Sequence, residues 1–146
     1  MRRDLYSFLL YARRWPLIGW LAYFQLKLLG VEIPLQVKFG ADCTLLHGGF
    51  GVVIHPQTEI AERVKIYPGV TLGRADIHVP ASESKFKGIR IESDAILCSG
   101  AKILCKEGIL TVGKGSVVGA NAVLLSSTCE NDILACISAR CIGLRD

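Results

Sequence analysis

The chain has 146 residues, 51% of them hydrophobic and 15 of them glycine, so it is long enough for one packed domain and too apolar for a disordered segment. Its formal charge of +4 sits at one end: Arg2, Arg3, Arg13, Arg14 and Lys27 stand against Asp4 alone, and beyond residue 30 the two signs balance. That balance argues against a nucleic-acid binder, which carries its basic face on the folded domain.

Residues 1–30 read as two short helices, with Pro16 in the first turn of the second and Gly30 at its C-terminal stop. Leu17, Leu21, Phe24 and Leu28 recur on one face. The apolar stretch from Trp15 to Leu29 is short for a transmembrane span and is interrupted by Gln25 and Lys27. Two roles remain open for this segment. It is a helical cap on the main domain or a neighbouring subunit, or it makes peripheral contact with an anionic membrane face, for which Trp15, Trp20 and Tyr23 beside paired arginines are suited.

From residue 31 to 146 the pattern has a period of six, which neither an amphipathic helix nor a hairpin strand sustains. Ile54, Ile60, Ile66 and Leu72 follow at that interval, and the register returns at Ile91, Leu97 and Ile103 and again at Val112, Val118 and Leu124. Four places after these aliphatic residues stand small or β-branched ones, among them Thr58, Val64, Val70, Ala95, Ala101, Ser116, Ala122 and Thr128. Each aliphatic side chain points inward from a short strand, and each corner has room only for a small residue. Three such strands close one triangular coil of about 18 residues. The expected fold is therefore an all-β solenoid, a parallel β-helix of about five coils counted from Val37, preceded by the helical segment.

Two interruptions break the register. The segment RADIHVPASESKFKGIR between Leu72 and Ile91 predicts an extruded loop at about 74–88, and about three extra residues enter around Lys106–Gly108. Six cysteines, Cys43, Cys98, Cys105, Cys129, Cys136 and Cys141, include no CxxC pair and follow no cleavable signal. They read as packed thiols of a cytoplasmic protein rather than as disulfides or zinc ligands.

Four stretches together resemble the hexapeptide-repeat acyltransferases, and within them the serine O-acetyltransferases and related short sugar O-acetyltransferases. These are LLHGGFGVVIHPQTEIAERVKIYPGVTLG at 45–73, SGAKIL at 99–104, VGKGSVVGANAVL at 112–124 and SARCIGLR at 138–145. The resemblance implies a left-handed coil, a homotrimer with sites between adjacent subunits, and transfer of acetyl from acetyl-CoA to a small-molecule hydroxyl, with no metal and no nucleic acid. Handedness comes from the resemblance alone, since the general crossover rule favours the other hand.

On the same ground His47 matches the catalytic base, and Glu32, fifteen residues upstream in VEIP, matches its acidic partner. An imidazole that titrates near neutrality suits removal of a hydroxyl proton. Coenzyme A in this family lies along a groove of small residues, and the matching positions are Gly73, Arg74, Ser99, Ala101, Gly119 and Ala120. Lys102, Lys114, Arg140 and Arg145 are further candidates for its phosphates, and a backbone N–H near Gly48 and Gly49 for the oxyanion.

The chain departs from the serine enzymes where their second active-site histidine falls, because Lys87 or Gly88 stands there; His78 in the loop is a candidate substitute, and His55 reads as structural. That departure weakens the case for serine; the resemblance implies serine or a serine-like small molecule as acceptor, with a sugar of a surface polysaccharide or its precursor as the alternative. A zinc-dependent carbonic anhydrase on the same scaffold, needing three histidines around one metal, and a non-catalytic scaffold are readings of other classes.

Overall fold

A computed structural model describes residues 5–15 and 17–136. Pro16, Arg140, Arg145 and the terminal stretch at 138–145 lie outside the described residues.

Two helices open the chain, α1 (Leu5–Ala12) and α2 (Gly19–Leu28). As expected, α2 stops at Gly30. Its φ is +79°, and Gly30 and Val31 donate their N–H groups back to the carbonyls of Lys27 and Leu26, which satisfies two of the carbonyls a helix end leaves free. Leu9, Leu10, Ala22 and Leu26 are buried in one continuous core with the residues that follow. The hairpin is thus a cap joined to the main body.

The rest is a three-sided prism of parallel strands. One side holds β1 (Lys38–Phe39), β4 (Thr58–Ile60), β7 (Phe86–Ile91) and β10 (Gly108–Val112). The second holds β2 (Thr44–Leu45), β5 (Lys65–Ile66), β8 (Ile96–Leu97), β11 (Val117–Val118) and β13 (Ile133–Leu134). The third holds β3 (Val53–Ile54), β6 (Thr71–Arg74), β9 (Lys102–Cys105) and β12 (Val123–Leu124). Among the described residues four coils are complete and a fifth has begun at β13.

Strand pairing aligns the inward residues into three aliphatic ladders. Phe39, Ile60, Ile91 and Val112 form the first; Leu45, Ile66, Leu97, Val118 and Leu134 the second; Ile54, Leu72, Ile103 and Leu124 the third. Most of these side chains are fully buried, each contributing on the order of 2 kcal/mol from removal of apolar surface from water. The small corner residues Val64, Ala95, Ala101 and Ser116 are buried too, because a wider side chain would push adjacent sides apart.

Both interruptions are present, the first shorter than the expected 74–88 because Phe86–Gly88 already belong to β7. The loop runs between Arg74 and Phe86, and the shorter insertion bulges the pairing of β10 with β7 between Gly108 and Ile109. A third irregularity is not visible in the six-residue pattern. The inward positions Ile66 and Leu72, and likewise Leu97 and Ile103, are six apart, whereas Leu45 and Ile54 are nine apart. The three added residues are taken up in the four-residue turn Leu46–Gly49 at one edge of the prism.

Candidate active site

His47 lies on that turn. Its backbone is left-handed, with φ 52° and ψ 34°, and Gly48 and Gly49 follow with φ of 75° and 63°. A β-branched residue would resist this path, whereas histidine is among the side chains that tolerate it. Gly48 and Gly49 are buried against the body while the imidazole is exposed. The turn therefore lifts a proton-accepting ring clear of the coil on a backbone fixed from below.

The edge that carries His47 is the corner between the second and third sides. Successive coils stack here in one repeated turn, with left-handed residues at Gly51, Gly69, Gly100 and Asn121. The turns are tied by N–H donation from Gly69 to Phe50, Gly100 to Pro68 and Asn121 to Ser99, at 2.8 to 2.9 Å. Four of the predicted cofactor residues, Ser99, Ala101, Gly119 and Ala120, fall on this edge with His47. Ser99 and Ala120 are exposed on it. Gly119 is part-exposed and donates its N–H to the Leu134 carbonyl at 2.6 Å.

Ala101 differs from expectation as a contact residue. It is fully buried, and its N–H and carbonyl are used within the solenoid by Cys98 and Thr71. The small residue there is demanded by the corner, so a ligand in the groove meets its neighbours and not its methyl group. Gly73 and Arg74 lie further along, at the end of β6. The Arg74 guanidinium is committed to the loop: Nε donates to Asp76 Oδ1 at 2.9 Å, and Nη2 to the carbonyls of Asp76 and Val79 at 3.2 and 3.1 Å. Asp76 is buried and also accepts from Ser84 Oγ at 2.6 Å. Arg74, then Ser84, hold its carboxyl below the usual carboxylate range. Lys102 is likewise engaged, donating to the Gly69 carbonyl at 2.6 Å.

Glu32 pairs in register with Val53, one coil before the strand that follows the His47 turn. Its carboxylate lies 3.6 Å from Lys27 Nζ, and among the described residues no hydrogen bond or ion pair joins it to His47. The ring neighbour of His47 is Tyr67, with centroids 6.0 Å apart and planes inclined by 51°. Tyr67 was not singled out in the sequence. Its signal is an aromatic ring directly after the inward Ile66, where the register places Cys98 and Gly119 in later coils.

The other histidines have different surroundings. His55 packs edge-on against Phe86 at 4.7 Å, and Nδ1 accepts the Gln57 N–H at 3.2 Å. Burial, and then the charge of Arg74, push its pKa down. His78 is exposed in the loop at a different corner of the protomer from His47. Lys87 and Gly88 line an open groove of about 340 Å³ on the first side, together with Gln36, Lys38, Glu59 and Arg90. Among the described residues no three His, Cys, Asp or Glu side chains gather around a common point.

No family model matches the chain. It is 37% identical over 116 residues to a serine acetyltransferase of Bacillus licheniformis, spanning 77% of this chain and 48% of that protein. To a serine acetyltransferase of Helicobacter pylori it is 41% identical over 100 residues, 66% of this chain and 52% of that protein. Among solved structures, a serine acetyltransferase from Brucella abortus in complex with coenzyme A superposes with a TM-score of 0.66 at 27% identity, over 86% of this chain and 48% of that one. A serine acetyltransferase in complex with cysteine superposes with a TM-score of 0.71 at 25% identity, over 97% of this chain and 56% of that one. The chain thus spans about half the length of the relatives it matches.

A three-sided parallel prism built on six-residue sides, matching these proteins in path as well as in sequence, defines the class: the chain belongs to the hexapeptide-repeat acyltransferase family, and its coil is left-handed. Within that family the relatives named above are serine acetyltransferases.

Proposed function

We propose that the chain transfers an acetyl group from acetyl-CoA directly to the hydroxyl of a small acceptor, with His47 as general base. The observation that carries this reading is the exposed imidazole on a rigid left-handed turn, inserted into the one edge where Ser99, Gly119 and Ala120 form a stack of small turns. The relatives' name and the coenzyme A bound to the Brucella abortus neighbour support it.

In the step itself, His47 takes the acceptor's hydroxyl proton as the oxygen attacks the thioester carbonyl. The C–S bond breaks as the C–O bond is completed. The imidazolium returns its proton to the departing thiolate, so that the products are an O-acetyl ester and free coenzyme A. No acyl-enzyme is required. A homotrimer, with each His47 facing a neighbouring subunit, belongs to the same reading, as does a cytoplasmic setting where acetyl-CoA is available. Within one protomer Glu32 Oε1 lies 3.6 Å from Lys27 Nζ, and orientation of the imidazole by Glu32 requires its carboxylate to reach the His47 ring when substrate binds.

Serine is the acceptor favoured by the relatives. A sugar hydroxyl is the second reading, and one observation favours it: Lys87 or Gly88 stands where the serine enzymes carry a second imidazole. Release of free thiol from acetyl-CoA, followed with L-serine and with a panel of monosaccharides and nucleotide sugars, decides between them. Absence of thiol release with every acceptor sinks the proposed activity.

A further inference from the structure

The outer face of the α1–α2 hairpin is apolar and aromatic. Phe8, Trp15, Leu17, Trp20, Phe24 and Leu28 are between 53% and 86% exposed. Apolar surface of this extent on a soluble protein marks a contact with something else. Its electrostatics indicate what that is. The hairpin from Leu5 to Val31 contains no Asp or Glu, and Arg14 is exposed at its turn; Lys27 in the last turn of α2 is paired with Glu32 at 3.6 Å, and Arg2 and Arg3 precede α1 in the sequence against Asp4 alone.

We propose that this face rests on an anionic lipid surface, with the two helices lying in the plane of the interface. A second copy of the chain would bring the same exposed Arg14 and the same net positive charge to the contact, which is repulsive, whereas acidic headgroups are complementary to it. Exposed tryptophans beside cations suit the depth of the headgroups. At ten residues α2 is about 15 Å long, and no described helix is long and apolar enough to cross a membrane, so the hairpin lies flat. Arg13, which the sequence groups with the other cations, takes no part. It is buried, donates to the Pro34 carbonyl, lies 5.8 Å from the Phe39 ring centroid, and is pushed down to about 10 by burial.

This placement has a consequence for the candidate site. The inner side of α1 touches the His47 turn through Tyr6 and Gly48, so the hairpin that meets the lipid also packs on the turn that carries the imidazole.

Sedimentation of the full chain with vesicles tests the proposal without relying on acyl transfer. We expect co-sedimentation with phosphatidylcholine vesicles containing about 30% phosphatidylglycerol, none with phosphatidylcholine alone, and release as salt is raised. The double variant Trp20→Ser/Phe24→Ser should lower partitioning at least about tenfold, and Arg14→Ser about fivefold, each with an unchanged thermal melt. The proposal is overturned if the wild-type chain stays in the supernatant with anionic vesicles, or if both variants bind as well as it does. It is equally overturned if light scattering shows the double variant at a smaller oligomeric mass, which assigns the face to another copy.

Discussion

The ring of Tyr6 occupies the space a side chain on Gly48 would need: a Cβ built there would lie 2.7 Å from Tyr6 Cζ. Helix α1 thereby clamps the turn that carries His47. Replacing Gly48 by alanine forces a side chain into a left-handed backbone and displaces the ring. It should lower stability by about 1–2 kcal/mol from backbone strain alone. The measurement is urea unfolding, and an unchanged midpoint would show that the turn relaxes away from both the left-handed backbone and the Tyr6 ring.

His47→Asn separates chemistry from structure, because asparagine tolerates the left-handed backbone at this position. Turnover should fall at least about a hundredfold, the usual scale for a general base. The thermal melt and coenzyme A affinity by calorimetry should stay as they are. Retention of wild-type turnover removes His47 from the mechanism.

Leu97 is fully buried and paired between Ile66 and Val118 in the second ladder. Leu97→Ala leaves a void that strands on both sides cannot close independently. The expected loss is about 2–5 kcal/mol in denaturant unfolding, and a loss below about 1 kcal/mol would mean that the coil collapses around the gap.

Asp76 ties the loop through Arg74 and Ser84, and the Phe86 N–H donates to Ser84 Oγ at 3.1 Å. Asp76→Ala should speed tryptic cleavage at Lys85 in the loop while the solenoid melts as before. Because the folded-state pKa of Asp76 is depressed, its contribution is present above the ordinary carboxylate range. It is lost as pH falls through the lowered value. Cleavage that does not change in the variant would place the loop's anchor elsewhere.

His55 has the opposite charge type and the same direction of shift. Its folded-state pKa is lowered by burial and by Arg74, so the unfolded chain takes up the proton first as pH drops below about 6.5. Thermal stability should decline from there down to the lowered folded value, and the decline should shrink in His55→Gln. A melting temperature with the same pH profile in both proteins would show that another group governs it.

Much of the architecture is legible along the chain. Spacing of six from Ile54 to Leu72, from Ile91 to Ile103 and from Val112 to Leu124 is one local rule repeated, and a solenoid places each residue mainly against its counterparts one coil away. The inward ladders from Ile54 onward and the loop after Leu72 are therefore decided by sequence distance, and the stop at Gly30 by a glycine that takes a left-handed backbone. What three dimensions added concerns which polar and small groups are already used. Only packing shows that Arg74 is held by Asp76, that Arg13 is buried against Phe39, that Ala101 is sealed in a corner, and that Tyr67 stands beside His47. These depend on partners from other coils or from the helical cap, and a side chain's availability to a ligand is set by such neighbours, which a repeating pattern of inward positions does not encode.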